Sequence, residues 1–305
     1  MSVYIYKDPQ LWYEKLYSSL EELDVHSTIF LREEEISDND EHPVVFIHMT
    51  HYSLDLRRQN KELVEKLVTR ENLTLIPSIE ECRLFDNKIF QFKTFEVWMP
   101  ETWYVSSFGE GIKIANSIDF PIISKSSKGA GSSNVRFLKN RKEAIKEVQD
   151  VFKGDGIVCW LKDRQKDYLL WQEFLPDNPN DWRVILFAKK YAMLLKRNNR
   201  PDVPFASGSG NIEPIEKIDN SKWVVALDYT KKFADTFDFR FLAVDVLFDK
   251  SKRPVILETS TGWTFAPYAP CRIFEFVQDG WLPTSYTGAD MFDLIAKLIA
   301  DGAFE

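Results

Sequence analysis

Two carboxylates flank a charged turn near the end of this 305-residue chain. Asp245-Val246-Leu247-Phe248 leads into Asp249-Lys250-Ser251-Lys252-Arg253-Pro254, and Val255-Ile256-Leu257-Glu258-Thr259-Ser260-Thr261-Gly262 leads out of it. The two mostly apolar runs read as the arms of a hairpin, so Asp245 and Glu258 fall on neighbouring strands and can meet on one face. Carboxylates held that close repel each other unless a cation lies between them. Mg²⁺ accepts one or two carboxylates together with phosphate oxygens, which suits a nucleotide partner. A solvated hairpin carrying two unrelated acids fits the same segment.

Upstream lie other groups able to handle phosphate. Lys125 ends an apolar run and opens the small-residue loop Ser126-Ser127-Lys128-Gly129-Ala130-Gly131-Ser132-Ser133-Asn134. Glycines let the backbone approach an anion closely, and successive N–H groups can form a nest beside the lysine charge. The lysine precedes the loop and the returning element reads as a strand, so this is not a Walker sequence; a surface hairpin is the alternative. Tyr168 to Pro176 is apolar apart from Gln172 and Glu173. A strand ending there offers edge hydrogen bonds within an apolar slot, as an adenine ring needs, or it is a plain core strand. Arg183, Arg197 and Arg200 come close to a second small-residue loop, Ala206-Ser207-Gly208-Ser209-Gly210-Asn211. Arginines so placed suit bidentate capture of a carboxylate or phosphate, or else form a solvated basic patch. His48 and His51 flank Met49-Thr50 at a strand end where an acceptor could bind, although a satisfied loop histidine is the plainer reading.

The elements that must position these groups read as α/β. Val3 to Tyr6, Val44 to Ile47 and Leu73 to Ile76 are expected strands, separated by helices over Pro9 to Leu23 and Leu54 to Val68. That rhythm predicts a small doubly wound sheet. It carries no Gly-x-Gly-x-x-Gly turn, so no dinucleotide is assigned to it. Helices are expected over Lys88 to Val97, Arg141 to Phe152, Lys222 to Phe237 and Ala289 to Ala300. Strands are expected at Trp103 to Val105, Phe120 to Ser124, Val135 to Leu138, Tyr168 to Leu175, Arg183 to Ala188 and Tyr191 to Leu195. The composition, 44% hydrophobic and 14% aromatic, is ample for buried cores. A net charge of -8 argues against nucleic acid as a partner. Cys82, Cys159 and Cys271 have no paired spacing and fit a reducing cytoplasm. No apolar run approaches the roughly 18 residues of a membrane span.

Taken in order, these parts resemble the ATP-grasp superfamily over about residues 85 to 265. Phe120-Pro121-Ile122-Ile123-Ser124-Lys125 looks like the family's strand ending in a phosphate-binding lysine, and Asp86-Asn87-Lys88 with the following helix looks like its other lysine segment. Gln172-Glu173-Phe174-Leu175 resembles the adenine hinge, while Asp245, Glu258 and Ser260 match a metal triplet that is usually Asp, Glu and Asn. The resemblance implies a leading α/β domain (1–85) and two α+β lobes (86–175 and 176–305) that clasp ATP. It implies ATP held by Lys88, Lys125, Lys128, Gly129, Gly131, Glu173, Phe174, Leu175 and Asp181, with Mg²⁺ on Asp245, Glu258 and Ser260. Arg183, Arg197 and Lys125 would stabilise the transferring phosphoryl group, and Arg200, Ser207, Gly208 and Ser209 would meet the substrate. The implied reaction joins a small-molecule carboxylate to an amine through an acyl phosphate, in a soluble, cytoplasmic protein compatible with a homodimer. A peptide or protein acceptor, or nucleotide binding without chemistry, are the other readings. The nearest subset is similar to the ribosomal-protein glutamate ligase. Within it, Arg197-Asn198-Asn199-Arg200-Pro201 with Ala206 to Gly210 resembles a variant associated with surface-polysaccharide gene clusters, which would make the substrate a sugar acid or amino acid. Two departures stand out: Ser260 replaces the usual asparagine, and Phe205 precedes the second loop where an arginine is expected. Trp263 adds a bulky indole beside the triplet, as a substrate wall or as core.

Overall fold

Three main sheets follow one another along the chain in a computed structural model. It describes residues 1–50, 53–70, 72–129, 131–201, 206, 211–215, 222–278 and 280–304. The first sheet is built from β1 (Val3–Tyr6), α1 (Trp12–Glu22), β2 (Ser27–Phe30), β3 (Val44–Phe46), α2 (Leu54–Leu67) and β4 (Thr74–Ile76). Its strands are all parallel in the order β2-β1-β3-β4. The doubly wound expectation omits β2, an edge strand with one fully buried side chain, Phe30, and no apolar run to mark it. Ser53 caps α2 by accepting from Leu56 N at 3.1 Å.

Two short helices, α3 (Ile79–Leu84) and α4 (Lys88–Phe95), lead onward. A capping box of Ser78 and Glu81 starts α3. The fully buried Glu81 carboxylate also accepts the backbone N–H groups of Arg240 and Phe241, tying this helix to the third sheet. Burial pushes the Glu81 carboxyl up to about 7 against the pull of those donors. α4 ends two residues earlier than expected, passing into a 3₁₀ turn at Glu96–Trp98.

The second sheet contains β5 (Thr102–Val105), α5 (Phe108–Ser117), β6 (Ile122–Lys125), β7 (Val135–Leu138), α6 (Arg141–Phe152), a small ladder of β8 (Ile157–Val158) with β9 (Arg164–Gln165), and β10 (Leu169–Glu173). Its order is β5-β10-β6-β7, all antiparallel. This sheet keeps its own core, with Val105, Ala115, Ile122, Val148 and Trp171 buried together.

The third sheet has seven strands: β11 (Asn180–Phe187), β12 (Tyr191–Asn198), β13 (Ile212–Pro214), β14 (Phe241–Phe248), β15 (Pro254–Ser260), β16 (Arg272–Val277) and β17 (Gly280–Thr287), with α7 (Lys222–Phe237) and α8 (Met291–Ala300). Strands β16 and β17 extend it beyond the sequence expectation. One face, carrying Val184, Leu186, Val244 and Val246, packs on α7 and takes in Phe95 of α4. The other face carries Ile185, Phe187 and Met193 into a core shared with α8 and with Trp12, Leu16 and Phe46 of the first unit. Among the described residues no helix is long and apolar enough to cross a membrane.

Candidate functional site

Strand alternation puts one charged row on the third sheet. Residues paired across antiparallel strands share a face, as do residues two apart on one strand. Asp181 pairs with Arg197, Arg183 with Asp245, and Asp245 with Glu258, so these five side chains and Ser260 lie together. The Asp245/Glu258 hairpin therefore forms in the expected register, with an irregularity just after Asp245. Farther along β11 and β12 this face turns apolar, and that part packs on the first unit.

The row is closely paired. Arg197 grips Asp181 with Nε–Oδ1 and Nη2–Oδ2 distances of 2.7 Å each. Its Nη2 also lies 2.6 Å from Asp245 Oδ2. Arg183 donates to Asp245 Oδ1 at 3.1 Å. All four side chains are buried. Burial pushes Asp245 up, but Arg183 and then Arg197 outweigh it and hold the carboxyl below its usual value. Burial dominates at Asp181, whose carboxyl stays raised despite Arg197. Arg197 is disfavoured by burial, yet Asp181 and Asp245 keep it firmly charged. Glu258 is more open, its nearest cation being Lys88 Nζ at 3.6 Å. Ser260 Oγ is engaged locally, donating to Gly262 O at 2.7 Å.

Lysines approach this row from the opposite side. Lys125, the last residue of β6, is buried and donates to Gln172 Oε1 at 2.6 Å. Gln172 in turn donates to Thr102 Oγ1 at 3.0 Å. Burial pulls the Lys125 ammonium down to about 8, Glu258 opposing and Lys88 reinforcing the shift. Lys88, also buried, donates to Gly129 O at 2.8 Å. The glycine loop is further fixed by Asp86, which accepts from Gly129 N, and by Arg200 Nη2, 3.0 Å from Gly131 O. Gly129 has a φ of +112°, and a Cβ there would lie 2.3 Å from Asn134 Nδ2, so only glycine fits. Lys128 stands outside this cluster, more than half exposed and 3.6 Å from Asp163.

Between the lysines and the acids runs a slot with apolar walls at Ile123, Leu247 and Leu257. Glu173 closes β10, its N–H bonded to Glu101 O at 2.8 Å and its carboxylate 2.8 Å from Lys250. Phe174 and Leu175 line the slot where the strand has ended. The structure thus gathers Lys88, Lys125, Gly129, Gly131, Glu173, Phe174, Leu175, Asp181, Asp245 and Glu258 around connected cavities of about 90 and 30 Å³. Arg200 reaches this group through the loop, whereas Ser207, Gly208, Ser209, Phe205 and His51 lie outside the described residues. His48 is a core residue: fully buried, stacked on Trp12 and 3.1 Å from Asp8, with burial lowering its pKa against Asp8. Trp263 also packs in the core, against Phe241 and Trp12. Sequence reasoning passed over Asn178, whose amide brackets Phe248 from the hinge side, and Asn134, which holds both Lys128 O and Trp160 N. Asparagines in loops carry no periodic signal; only their place beside the hinge and the glycine loop hinted at them.

The folded unit that presents a lysine and a glycine loop on one sheet, with a second lysine on a helix, against acids on another sheet is the ATP-grasp fold. Solved structures match it over nearly the whole chain. D-cycloserine synthetase DcsG aligns over 99% of this chain and 100% of its own, with TM-score 0.61 and 12% identity. The ATP-grasp ligase PsnB, complexed with minimal precursor, Mg and ADP, aligns over 100% and 98%, with TM-score 0.63 and 13% identity. A RiPP-associated ATP-grasp ligase from Chryseobacterium gregarium, in complex with ADP and a leader and core peptide, aligns over 99% and 97%, with TM-score 0.63 and 10% identity. No family model and no curated protein matches the chain.

Proposed function

We propose that this chain is a Mg²⁺- and ATP-dependent ligase that joins a carboxylate to an amine. The observation that carries this reading is the convergence of buried Lys88 and Lys125 on the cross-strand pair Asp245 and Glu258, beside an apolar slot. The residues fit both groups. Ile123, Leu247 and Leu257 suit an adenine ring, the two lysines suit phosphates, and Glu258 suits a hard cation, which Asp245 would share while its oxygens stay paired with Arg183 and Arg197. Ser260 fits less well, because its hydroxyl is already shared with the Gly262 backbone.

In the proposed reaction a substrate carboxylate oxygen bonds to the γ-phosphorus of ATP. The bond from phosphorus to the β,γ-bridging oxygen breaks, and ADP leaves with the electron pair. The amine then attacks the acyl carbon, phosphate departs, and the surplus amine proton passes to solvent. Lys88 and Lys125 neutralise phosphate charge, and Arg183 and Arg197, each paired with a carboxylate, hold Asp181 and Asp245 in place beside the transferring group. Such chemistry rests on position and electrostatics, with no protein nucleophile required. Bound Mg²⁺ would supply neutralisation of phosphate charge. The three free cysteines suit the cytoplasmic setting that goes with this reading.

Glu258→Gln is expected to lower ADP release at least 100-fold while the thermal transition stays within a few degrees; near-normal turnover would remove Glu258 from the metal site. The engagement of Ser260 favours a second reading, nucleotide binding with little turnover. Under that reading Ser260→Asn should raise Mg²⁺-dependent ADP release several-fold, whereas no change leaves the ligase reading in place.

A further inference from the structure

Beside the nucleotide slot lies a larger cavity, about 570 Å³, between α2 and the segment that carries Lys88. That volume falls within the roughly 300–1,000 Å³ of small-molecule sites. Its floor is apolar, with Val64, Cys82, Phe85 and Phe90. Its charge is lopsided: Arg57, Arg58, Lys61, Arg83 and Lys128 face only Glu65 and Asp86. Arg57, Arg58 and Lys61 are spaced three and four residues apart toward Lys61, so one face of α2 presents them together.

Arg83 and Lys128 are paired outside the cavity, with Glu80 at 3.0 Å and Asp163 at 3.6 Å, and the three cations on α2 are held more loosely. Arg57 Nε lies 3.0 Å from Asp86 Oδ2 but out of line for a hydrogen bond, and its buried Nη2 has no hydrogen-bond partner among the described residues. Among the described residues Arg58 has only the exposed Asp55 and Glu62, at 3.3 and 3.8 Å. Lys61 makes no ion pair among the described residues. Exposed pairs of the Arg58 kind are weak and yield readily to a better anion.

The cavity also borders the phosphate end of the slot. Asp86 holds the glycine loop through Gly129 N, and Lys88, two residues on, reaches both Gly129 O and Glu258. On the other side, Phe85 and the Met49 carbonyl meet the chain at Gly262, two residues past Ser260. A molecule in this cavity would therefore have one end at α2 and the other beside Lys128, at the start of the glycine loop.

We propose that this cavity binds the carboxylate substrate and that the substrate is a dicarboxylate with an uncharged middle. One carboxylate is held by Arg57, Arg58 and Lys61. The other is turned toward Lys128 and the glycine loop, where it would be phosphorylated. This inference rests on the ligase reading for the fate of the second carboxylate, but binding itself does not need turnover.

The test is calorimetric titration of the full chain, with and without Mg²⁺ and ADP. The probes are glutarate, N-acetyl-L-glutamate and the dipeptide Glu-Glu, with butyrate as the single-charge control. The proposal expects at least one dicarboxylate to bind at least tenfold more tightly than butyrate. It also expects R58E with K61E to weaken that dicarboxylate at least tenfold while ADP affinity stays within twofold. Both side chains are exposed, and if the double reversal unfolds the protein, R58Q with K61Q should still weaken binding at least threefold. Failure of the wild type to bind any dicarboxylate, or equal binding by the variants, overturns the proposal. Failure to bind ADP overturns the ligase reading instead, and charge-dependent dicarboxylate binding would then support the cavity as an acid site in its own right.

Discussion

Two arginine clusters in this molecule have opposite characters. On the third sheet, Arg183 and Arg197 are buried against Asp181 and Asp245, and strand register fixes every partner. On α2, Arg57, Arg58 and Lys61 lie along a cavity with two acids to answer for them. The first cluster is a finished electrostatic floor, whose charges cannot rearrange without breaking a sheet. The second has spare capacity. The contrast teaches that arginines near a site divide into those that shape the field and those still able to accept an anion, and burial with bidentate pairing tells them apart.

The sharpest way to break this contrast is Arg197→Ala. It leaves Asp181 and Asp245 buried without their shared cation, and such losses cost about 3–5 kcal/mol. Denaturant unfolding should show that destabilisation; a loss below about 1 kcal/mol would mean the floor is not the fixed network described.

Next in size is a pH effect at Lys125, which faces the floor from the second sheet. With its ammonium pulled down to about 8, it is charged at neutral pH and loses its proton as pH rises through 8. Nucleotide affinity should be flat below about pH 7 and fall by up to about tenfold per unit above 8. Lys125→Met should bind weakly and lose this dependence; a wild-type profile in the variant would assign the titration elsewhere. Stability of the nucleotide-free fold moves the other way. Between about pH 8 and the ordinary lysine value of 10.5 the unfolded chain binds the extra proton, so this group's contribution rises with pH.

The smallest effect is expected at Arg57. Its contact with Asp86 is nearly buried but out of line for a hydrogen bond, and its guanidinium lies 5.4 Å from the Trp160 ring centroid, so Arg57→Ala should cost about 1 kcal/mol. A loss comparable to that of Arg197→Ala would erase the distinction between the clusters.

The hairpin was legible because its two arms are apolar, its turn is charged and its acids sit at matching distances from the turn. The glycine loop after β6 was legible because residue type alone marks a turn such as that at Gly129, whose φ of +112° suits glycine. Edge strands were not. Across Gly280–Thr287 only Trp281 is buried, so β17 carries no hydrophobic run to read. The packing of α4 was hidden too. Its place in the sequence groups it with the second sheet, yet Phe95 buries itself with Phe233 at 5.0 Å in the core of the third. The basic cavity was invisible for a different reason. Lys61 and Arg58 look like an ordinary solvated helix face, and only the fold brings Phe85 and Lys128 opposite them.

Gly262 has a consequence for motion. A Cβ there would lie 2.1 Å from the Met49 carbonyl, so the chain two residues past the strand bearing Glu258 meets the first unit backbone to backbone. Those two units also share one continuous core, while the second sheet keeps its own. The slot between the lysines and the acids, at about 90 Å³, is narrower than a small-molecule site of roughly 300 Å³ or more. Widening it by parting the first and third units would tear that shared core. If the slot opens at all, the part free to move is the second sheet, carrying Lys125 and the glycine loop, and it would close on a surface that holds Asp245, Glu258 and the α2 side of the larger cavity.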